Sequence, residues 1–232
     1  WSSKILNAMD DERDLRDVLP TLCLENEFIG ELRSDVADQL GLPPNIGVSV
    51  GGGDNMMSAI GTGNVTEGRV TISLGTSGTA YAYSDTPVID ERGEIAAFCS
   101  SSGGWLPLLC TMNCTVGTEL MRSLFGADIE DFEALIARAR PGSDGVLTLP
   151  FYNGERTPNL PLGKGCIVGL DTRNTRPENI VRSAMEGATF ALRYGMDRLR
   201  ELSVDCEEVM LTGGGANSPN WRQTIANVCN KP

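Results

Sequence analysis

The sequence contains no histidine and only three lysines, Lys4, Lys164 and Lys231. Without histidine, neither Ser-His-Asp hydrolysis nor Cys-His proteolysis can take place within the chain. Zinc sites of the Cys2His2 type are excluded for the same reason. General base catalysis therefore falls to an aspartate or a glutamate. Any phosphate bound by the chain must be held by backbone N–H groups, arginines or a metal ion.

Basic charge and long apolar runs are also scarce. The formal net charge is −12, which argues against a nucleic-acid partner because phosphate backbones require clustered Lys and Arg. No apolar run reaches the roughly 18 residues of a membrane-spanning helix, and no signal peptide is recognised, so no membrane partner is expected. The seven cysteines are scattered, which predicts reduced thiols in a cytoplasmic protein. A metal pair at Cys110 and Cys114 lacks further ligands.

Two common phosphate-binding patterns, G-x-x-x-x-G-K-[ST] and G-x-G-x-x-G, are absent, so neither a P-loop nor a Rossmann domain is predicted. Glycine is nevertheless abundant, with 27 residues, and forms three loops that follow predicted strands. Residues 51–53 precede Asp54, residues 75–78 form a predicted hairpin turn, and residues 213–215 precede a predicted helix. Glycine lets backbone N–H groups face an anion without interference from Cβ. An acid on one loop and two anion-accepting loops suit phosphoryl transfer.

Helix-like and strand-like patterns are interspersed along the chain, which predicts an α/β fold. Helices are predicted over residues 31–40, 56–60, 116–125, 129–140, 177–202 and 220–228. Strands are predicted over residues 46–50, 69–74, 79–83, 146–151 and 207–211, with a further hairpin around residues 101–104. A composition shift near residues 61–63 predicts a domain junction, which separates residues 1–63 from residues 64–232.

Four groups of residues occur in the order of a known set of motifs. They are residues 51–55, residues 73–78, the pair 165–170 and 179–186, and residues 213–223. In this order they resemble the FGGY family of carbohydrate kinases. The resemblance implies an actin-like ATPase fold, in which two ribonuclease-H-like domains, each a mixed sheet flanked by helices, enclose a cleft. Residues 1–63 would be the tail of the N-terminal, sugar-binding domain. Residues 64–232 would be most of the C-terminal, nucleotide-binding domain, with its last part and the family's first phosphate loop outside the chain.

The resemblance also implies roles for individual residues. Asp54 would be the catalytic base that accepts the proton of the sugar hydroxyl, and it would contact Mg²⁺ directly or through water. The terminal phosphates of ATP would be held by Gly75, Thr76, Ser77 and Gly78. The adenosine would be bordered by Gly214, Gly215, Ala216 and Asn217. Asn113 and Thr115 precede a helix close to the expected nucleotide. Each role has a competing structural interpretation. Asp54 could form an Asx-turn or a helix cap, residues 75–78 could be a plain hairpin turn, and residues 214–217 could reflect ordinary strand–helix packing.

The loop at residues 154–159 resembles that of the branch of the family that acts on D-xylulose, whereas glycerol kinases carry a different loop. It favours phosphorylation of D-xylulose to D-xylulose 5-phosphate, with ATP and Mg²⁺ as cofactors. Glu155 and Arg156 are expected either at the cleft or in a salt bridge that closes this loop. The alternatives are a kinase of ribulose, gluconate or glycerol, an actin-like ATPase switch without a sugar acceptor, and an inactive acidic fragment. A second copy of the chain, in a homodimer, is also considered as a partner.

Overall fold

The structure is a computed structural model that describes residues 1–232 and divides into two compact units, Trp1–Gly52 and Gly53–Pro232. The first unit contains helices α1 (Ser3–Met9) and α2 (Ser34–Leu40) and an antiparallel pair of strands, β1 (Phe28–Glu31) and β2 (Gly47–Ser49). Helix α2 ends at Gly41, whose left-handed φ of 65° is the stop expected from the sequence. The predicted start of that helix at residue 31 is wrong, because Glu31 belongs to β1.

The second unit contains the remaining helices and strands. The strands are β3 (Gly68–Leu74), β4 (Gly78–Ala82), β5 (Ile95–Cys99), β6 (Trp105–Thr111), β7 (Leu147–Leu149), β8 (Cys166–Val168) and β9 (Cys206–Thr212). The helices are α3 (Asp54–Gly61), α4 (Thr115–Leu124), α5 (Ile129–Arg138), α6 (Pro177–Glu201) and α7 (Pro219–Cys229). None of the helices is both long enough and apolar enough to cross a membrane.

Five of these strands form one mixed sheet in the order β5-β6-β4-β3-β9, and β7 pairs with β8 separately. The predicted hairpins β3–β4 and β5–β6 are confirmed as antiparallel pairs. Strand β9 runs parallel to β3, so the carboxyl ends of these two strands lie at the same edge of the sheet. The loops that follow them, residues 75–77 and residues 213–217, are therefore neighbours.

Helices cover both faces of this sheet. On one face, α6 packs Met185 and Leu192 against Ile72 and Leu109 in the main hydrophobic core. The approach of α6 to the sheet is close, because a Cβ atom at Gly195 would lie 1.9 Å from the Leu109 side chain. On the other face, residues of α3 pack against alternate residues of β4 and β6 in a smaller cluster. That cluster comprises Ala59, Tyr81, Leu106 and Leu108, with Met56 and Cys110 beside it.

Candidate active site

Asp54 is the first residue of α3, directly after the N-cap residue Gly53. Its Oδ1 atom accepts the backbone N–H of Asn55 at 2.7 Å, which is the local contact expected of an aspartate at a helix start. The side chain is exposed, and no arginine or lysine pairs with it. The helix N-terminus favours its negative charge. Asp54 therefore presents a free carboxylate oxygen to solvent.

A hydrogen bond connects the start of α3 to the β3–β4 hairpin. The Thr79 hydroxyl donates to Oδ1 of Asn55 at 3.3 Å, and Thr79 follows the second glycine loop directly. Cys110 lies opposite Thr79 in the β4–β6 ladder, so their side chains share one face. We call Asp54, Asn55, Thr79 and Cys110 the α3 side of the site. Burial raises the pKa of the Cys110 thiol, while the neighbouring Arg156 guanidinium acts in the opposite direction.

A cavity of about 610 Å³ opens between the second and third glycine loops. Helices α4, α5 and α7 form its other walls. The lining residues are Leu74, Gly75, Thr76, Thr115, Thr118, Glu119, Arg122, Ile129, Phe132, Glu133, Ile136, Gly214, Gly215, Asn217, Ser218 and Trp221. The structure thus brings together two loops that lie about 140 residues apart in the sequence, as their shared edge of the sheet requires.

The second glycine loop is oriented by the start of α4. The carbonyl of Thr76 accepts the N–H of Cys114 at 3.0 Å, and the carbonyl of Gly75 accepts the N–H of Thr115 at 2.9 Å. The N–H groups of residues 75–77 donate to no acceptor in the chain. The N–H groups of Gly214 and Gly215, at the start of a 3-10 turn, are free as well. Free backbone donors on two loops that border one cavity suit an anionic ligand.

The glycines of these loops serve different purposes. A Cβ atom at Gly214 would meet no other atom within 4 Å, so this glycine faces open space. A Cβ atom at Gly215 would lie 2.8 Å from Cβ of Leu74, so this glycine permits the loop to pack on β3. Gly78 is buried, and a Cβ atom there would lie 2.8 Å from the Thr111 hydroxyl, to which the Gly78 N–H donates at 3.2 Å. Gly78 therefore packs inside the sheet.

Not every predicted site residue reaches the cavity. Gly75, Thr76, Gly214, Gly215 and Asn217 line it, whereas Ser77, Gly78 and Ala216 belong to the same loops without lining it. Thr115, considered from the sequence, lines the cavity too.

Apart from Thr115, the cavity-lining residues of α4 and α5 were missed by sequence reasoning. Thr115, Thr118 and Arg122 are spaced three and four apart on α4, and Phe132 and Ile136 are four apart on α5. That spacing marks one face of a helix. It does not reveal from sequence alone that the face borders a cavity.

The charged side chains of the cavity are partly engaged with one another. Arg122 pairs with Glu119 at 2.7 Å, and Oε2 of Glu133 accepts the Asn220 amide at 3.0 Å. No lysine lines the cavity. The donors available to a phosphate are therefore backbone N–H groups together with the hydroxyl and amide groups of the lining.

A divalent cation fits the carboxylate of Asp54. No group of three or more acidic, cysteine or histidine side chains forms a closed metal site. Mg²⁺, however, is commonly bound through one or two carboxylates, with substrate phosphates and waters as its other ligands. The exposed and unpaired carboxylate of Asp54 suits that mode.

The loop around residues 154–159 is built on a buried carboxylate. Glu155 is only 1% exposed, and its Oε1 atom accepts the N–H of Met112 at 2.6 Å. The predicted alternative of a salt bridge between Glu155 and Arg156 is wrong, because neither side chain forms an ion pair. Arg156 instead extends to the surface beside the Cys110 thiol.

Comparison with protein families places both parts of the chain in one family. Residues 70–232 match the C-terminal domain of the FGGY family of carbohydrate kinases, and residues 1–61 match its N-terminal domain. The chain belongs to the FGGY family of carbohydrate kinases. Its mixed sheet flanked by helices is the actin-like fold of these sugar kinases, as the sequence resemblance implied.

Individual FGGY kinases are similar along nearly the whole chain. A xylulose kinase of Haemophilus influenzae is 46% identical over 99% of the chain and 47% of that protein. The crystal structure of xylulose kinase from Bifidobacterium adolescentis matches with a TM-score of 0.77 and 32% identity, over 92% of the chain and 42% of that structure. A "xyloylose kinase" from Brucella ovis matches with a TM-score of 0.89 and 27% identity, over 100% of the chain and 47% of that structure. The chain spans about half the length of these relatives.

Proposed function

We propose that this FGGY chain takes part in the ATP-dependent phosphorylation of a sugar hydroxyl, with D-xylulose as the acceptor and D-xylulose 5-phosphate as the product. One observation carries the proposal. Two loops with free backbone donors border a single cavity, and a hydrogen bond joins β4, the strand after one of these loops, to the helix that bears the unpaired carboxylate of Asp54. A phosphoryl transferase needs this combination of anion donors and a base.

The cavity is proposed to receive ATP. The terminal phosphates would accept hydrogen bonds from the N–H groups of Gly75, Thr76 and Ser77, with Gly78 shaping the turn from inside the sheet. The adenosine would lie against Gly214, Gly215, Ala216 and Asn217. Trp221 is buried and donates its indole N–H to Thr189 at 3.0 Å, so it forms a fixed wall for that end.

Asp54 is proposed to act as the general base. Its free oxygen accepts the proton of the sugar hydroxyl. The hydroxyl oxygen forms a bond to the γ-phosphorus while the bond between that phosphorus and the ADP oxygen breaks, and ADP leaves with the electrons of the broken bond. Asp54 would also hold Mg²⁺, directly or through water. When bound, the ion neutralises negative charge on the phosphates, which matters in a chain with a net charge of −12.

The choice of D-xylulose is supported by relatives that are named xylulose kinases. These relatives are about twice as long as the chain. Residues 1–63 are proposed as the tail of the sugar-binding domain and residues 64–232 as most of the nucleotide-binding domain. The seven cysteines are all free thiols, which supports a cytoplasmic location. Kinases of gluconate and glycerol share the fold, so they set the alternatives to be tested.

A panel of acceptors tests this function. ADP production is followed for the intact enzyme with D-xylulose, D-ribulose, gluconate and glycerol, and with no acceptor. We expect the highest kcat/KM with D-xylulose. A faster reaction with another acceptor would reassign the substrate, and ADP release that no acceptor stimulates would favour an ATPase switch.

A further inference from the structure

Glu155 is a buried carboxylate that no cation neutralises. It is 1% exposed, and three N–H donors converge on its two oxygens. The backbone N–H groups of Met112 and Arg156 donate to Oε1 at 2.6 and 2.7 Å, and the Asn113 amide donates to Oε2 at 3.1 Å. Burying a carboxylate is costly unless such donors compensate for the lost water. A neutral glutamine would turn its own NH₂ group toward one of these donors.

Asn113 makes this arrangement specific. It is fully buried, and its amide nitrogen also donates to the carbonyl of Gly154 at 2.7 Å. Its carbonyl oxygen accepts the N–H of Asn153 at 3.2 Å. The amide cannot rotate by half a turn without losing these bonds. Glu155 and Asn113 therefore fix the end of β6 against the loop at residues 153–156.

The two residues that follow Asn113 connect this hydrogen-bond network to the loop at residues 75–77 of the proposed site. Cys114 and Thr115 follow Asn113 directly, and their N–H groups donate to the carbonyls of Thr76 and Gly75 at 3.0 and 2.9 Å. These two bonds hold the carbonyls toward α4. The N–H groups of residues 75–77 remain free of any acceptor in the chain.

We infer that Glu155 is a positioning residue for the phosphate end of ATP, an inference that rests on the proposed function. It fixes Met112 and Asn113, which fix the start of α4, which in turn orients the loop at residues 75–77. The loop at residues 154–159 thus serves the nucleotide through Glu155, although the sequence associates it with the choice of sugar.

The test compares ligands that differ only in their phosphates. Binding of adenosine, ADP and ATP, each with Mg²⁺, is measured by calorimetry on the purified protein and on Glu155→Gln. Loss of a charge-assisted hydrogen bond should weaken ATP binding by about tenfold or more. The Kd for adenosine should change by no more than about twofold, because residues 214–217 form no hydrogen bond with Glu155 or Asn113. General loosening of the fold would weaken both ligands equally.

Glu186→Gln is the matched control. Glu186 is another buried glutamate, 4% exposed, which accepts from the Gly142 N–H, the Ser143 hydroxyl and the Arg182 guanidinium at 2.9, 2.9 and 2.8 Å. None of these partners contacts the loop at residues 75–77. The preference for ATP over adenosine should therefore be unchanged in this variant, whatever its stability.

Asn113→Ala removes the other side chain of the hydrogen-bond network that contains Glu155. It should also lower the preference for ATP, and the double variant should lose less than the product of the two single effects, because both act through one network. Equal losses of ATP and adenosine in Glu155→Gln, or loss of all binding in both single variants, would overturn the inference and leave Glu155 a structural residue. A parent protein that binds no adenine nucleotide would instead overturn the proposed function itself.

Discussion

The α3 side of the site and the cavity are built in opposite ways. The α3 side depends on one exposed carboxylate, Asp54, which is held by a single local hydrogen bond. The cavity depends on backbone N–H groups and on walls supplied by three helices and two loops. Chemistry that resides in one side chain can be removed without changing the fold. Binding that resides in the backbone can be changed only by filling space or by moving a loop.

The largest expected effect comes from Asp54→Ala. Loss of a general base reduces kcat by about 10²–10⁴-fold, while ATP binding, which we assign to the cavity, should be nearly unchanged. Steady-state kinetics of the intact enzyme and calorimetry with ATP measure the two quantities. Asp54→Asn, of almost the same size, is the control for shape and should be equally slow. A kcat within threefold of the parent would refute the assignment.

Gly214→Val should weaken ATP binding, which Asp54→Ala leaves nearly unchanged. Its new side chain would meet no protein atom within 4 Å of Cβ and would occupy the cavity, so ATP affinity should fall by about tenfold or more while stability changes by less than about 1 kcal/mol. Calorimetry and denaturant unfolding measure the two quantities.

Gly78→Val sharpens this prediction. A Cβ atom there would lie within about 3 Å of Thr111, Leu192 and Cys114, so overpacking should destabilise the protein by about 1–3 kcal/mol. Neither Gly214 nor Gly78 has a positive φ, so steric crowding, and not backbone strain, decides both outcomes. Equal stability losses in Gly214→Val and Gly78→Val would show that Gly214 also packs against the protein.

Removal of Mg²⁺ should affect the cavity through the charge of the whole chain. With a net charge of −12 and no lysine in the lining, ATP approaches an unfavourable field. We expect EDTA to weaken ATP binding by about tenfold, and moderate salt to leave the residual binding unchanged or slightly stronger, because screening reduces repulsion. Titrations with and without EDTA at two salt concentrations measure this. Tight binding in EDTA at low salt would contradict it.

The smallest expected effect concerns the hydrogen bond that ties the start of α3 to β4, the strand that follows the second glycine loop. Asn55→Ala removes the acceptor of the Thr79 hydroxyl, a long hydrogen bond of 3.3 Å, whose net contribution should be about 0.5–1.5 kcal/mol. We expect kcat to fall by a few fold, because the residue next to Asp54 loses its hydrogen bond to β4. The Kd for ATP should stay the same. Thr79→Val, which removes the donor, should match it. A change in ATP affinity as large as that in kcat would show that the α3 side and the cavity are not separable.

The sequence by itself determined the local structure. Pro177 and Ser218-Pro219 marked the starts of α6 and α7, and the Ser218 hydroxyl does accept the N–H of Trp221 at 3.0 Å. The hairpin β3–β4 followed from two β-rich runs around a glycine turn, and the hairpin β5–β6 followed from the turn residues at 101–104 alone. Such signals are readable because capping and turn formation depend on residues within a few positions. The short strands β1 and β8 lack a comparable local signal and were not predicted.

Only the tertiary structure decided which glycines border the cavity and which residues the loop at residues 154–159 contacts. Gly78 and Gly214 look alike in the sequence, yet one is packed within the sheet and the other borders the cavity. Glu155 was grouped with Arg156 as a neighbour along the chain, whereas its partners are Met112 and Asn113. The reason is physical. Steric room at a Cβ position and the donors around a buried carboxylate are set by segments far apart in the sequence, and these segments meet only when the sheet and its helices pack.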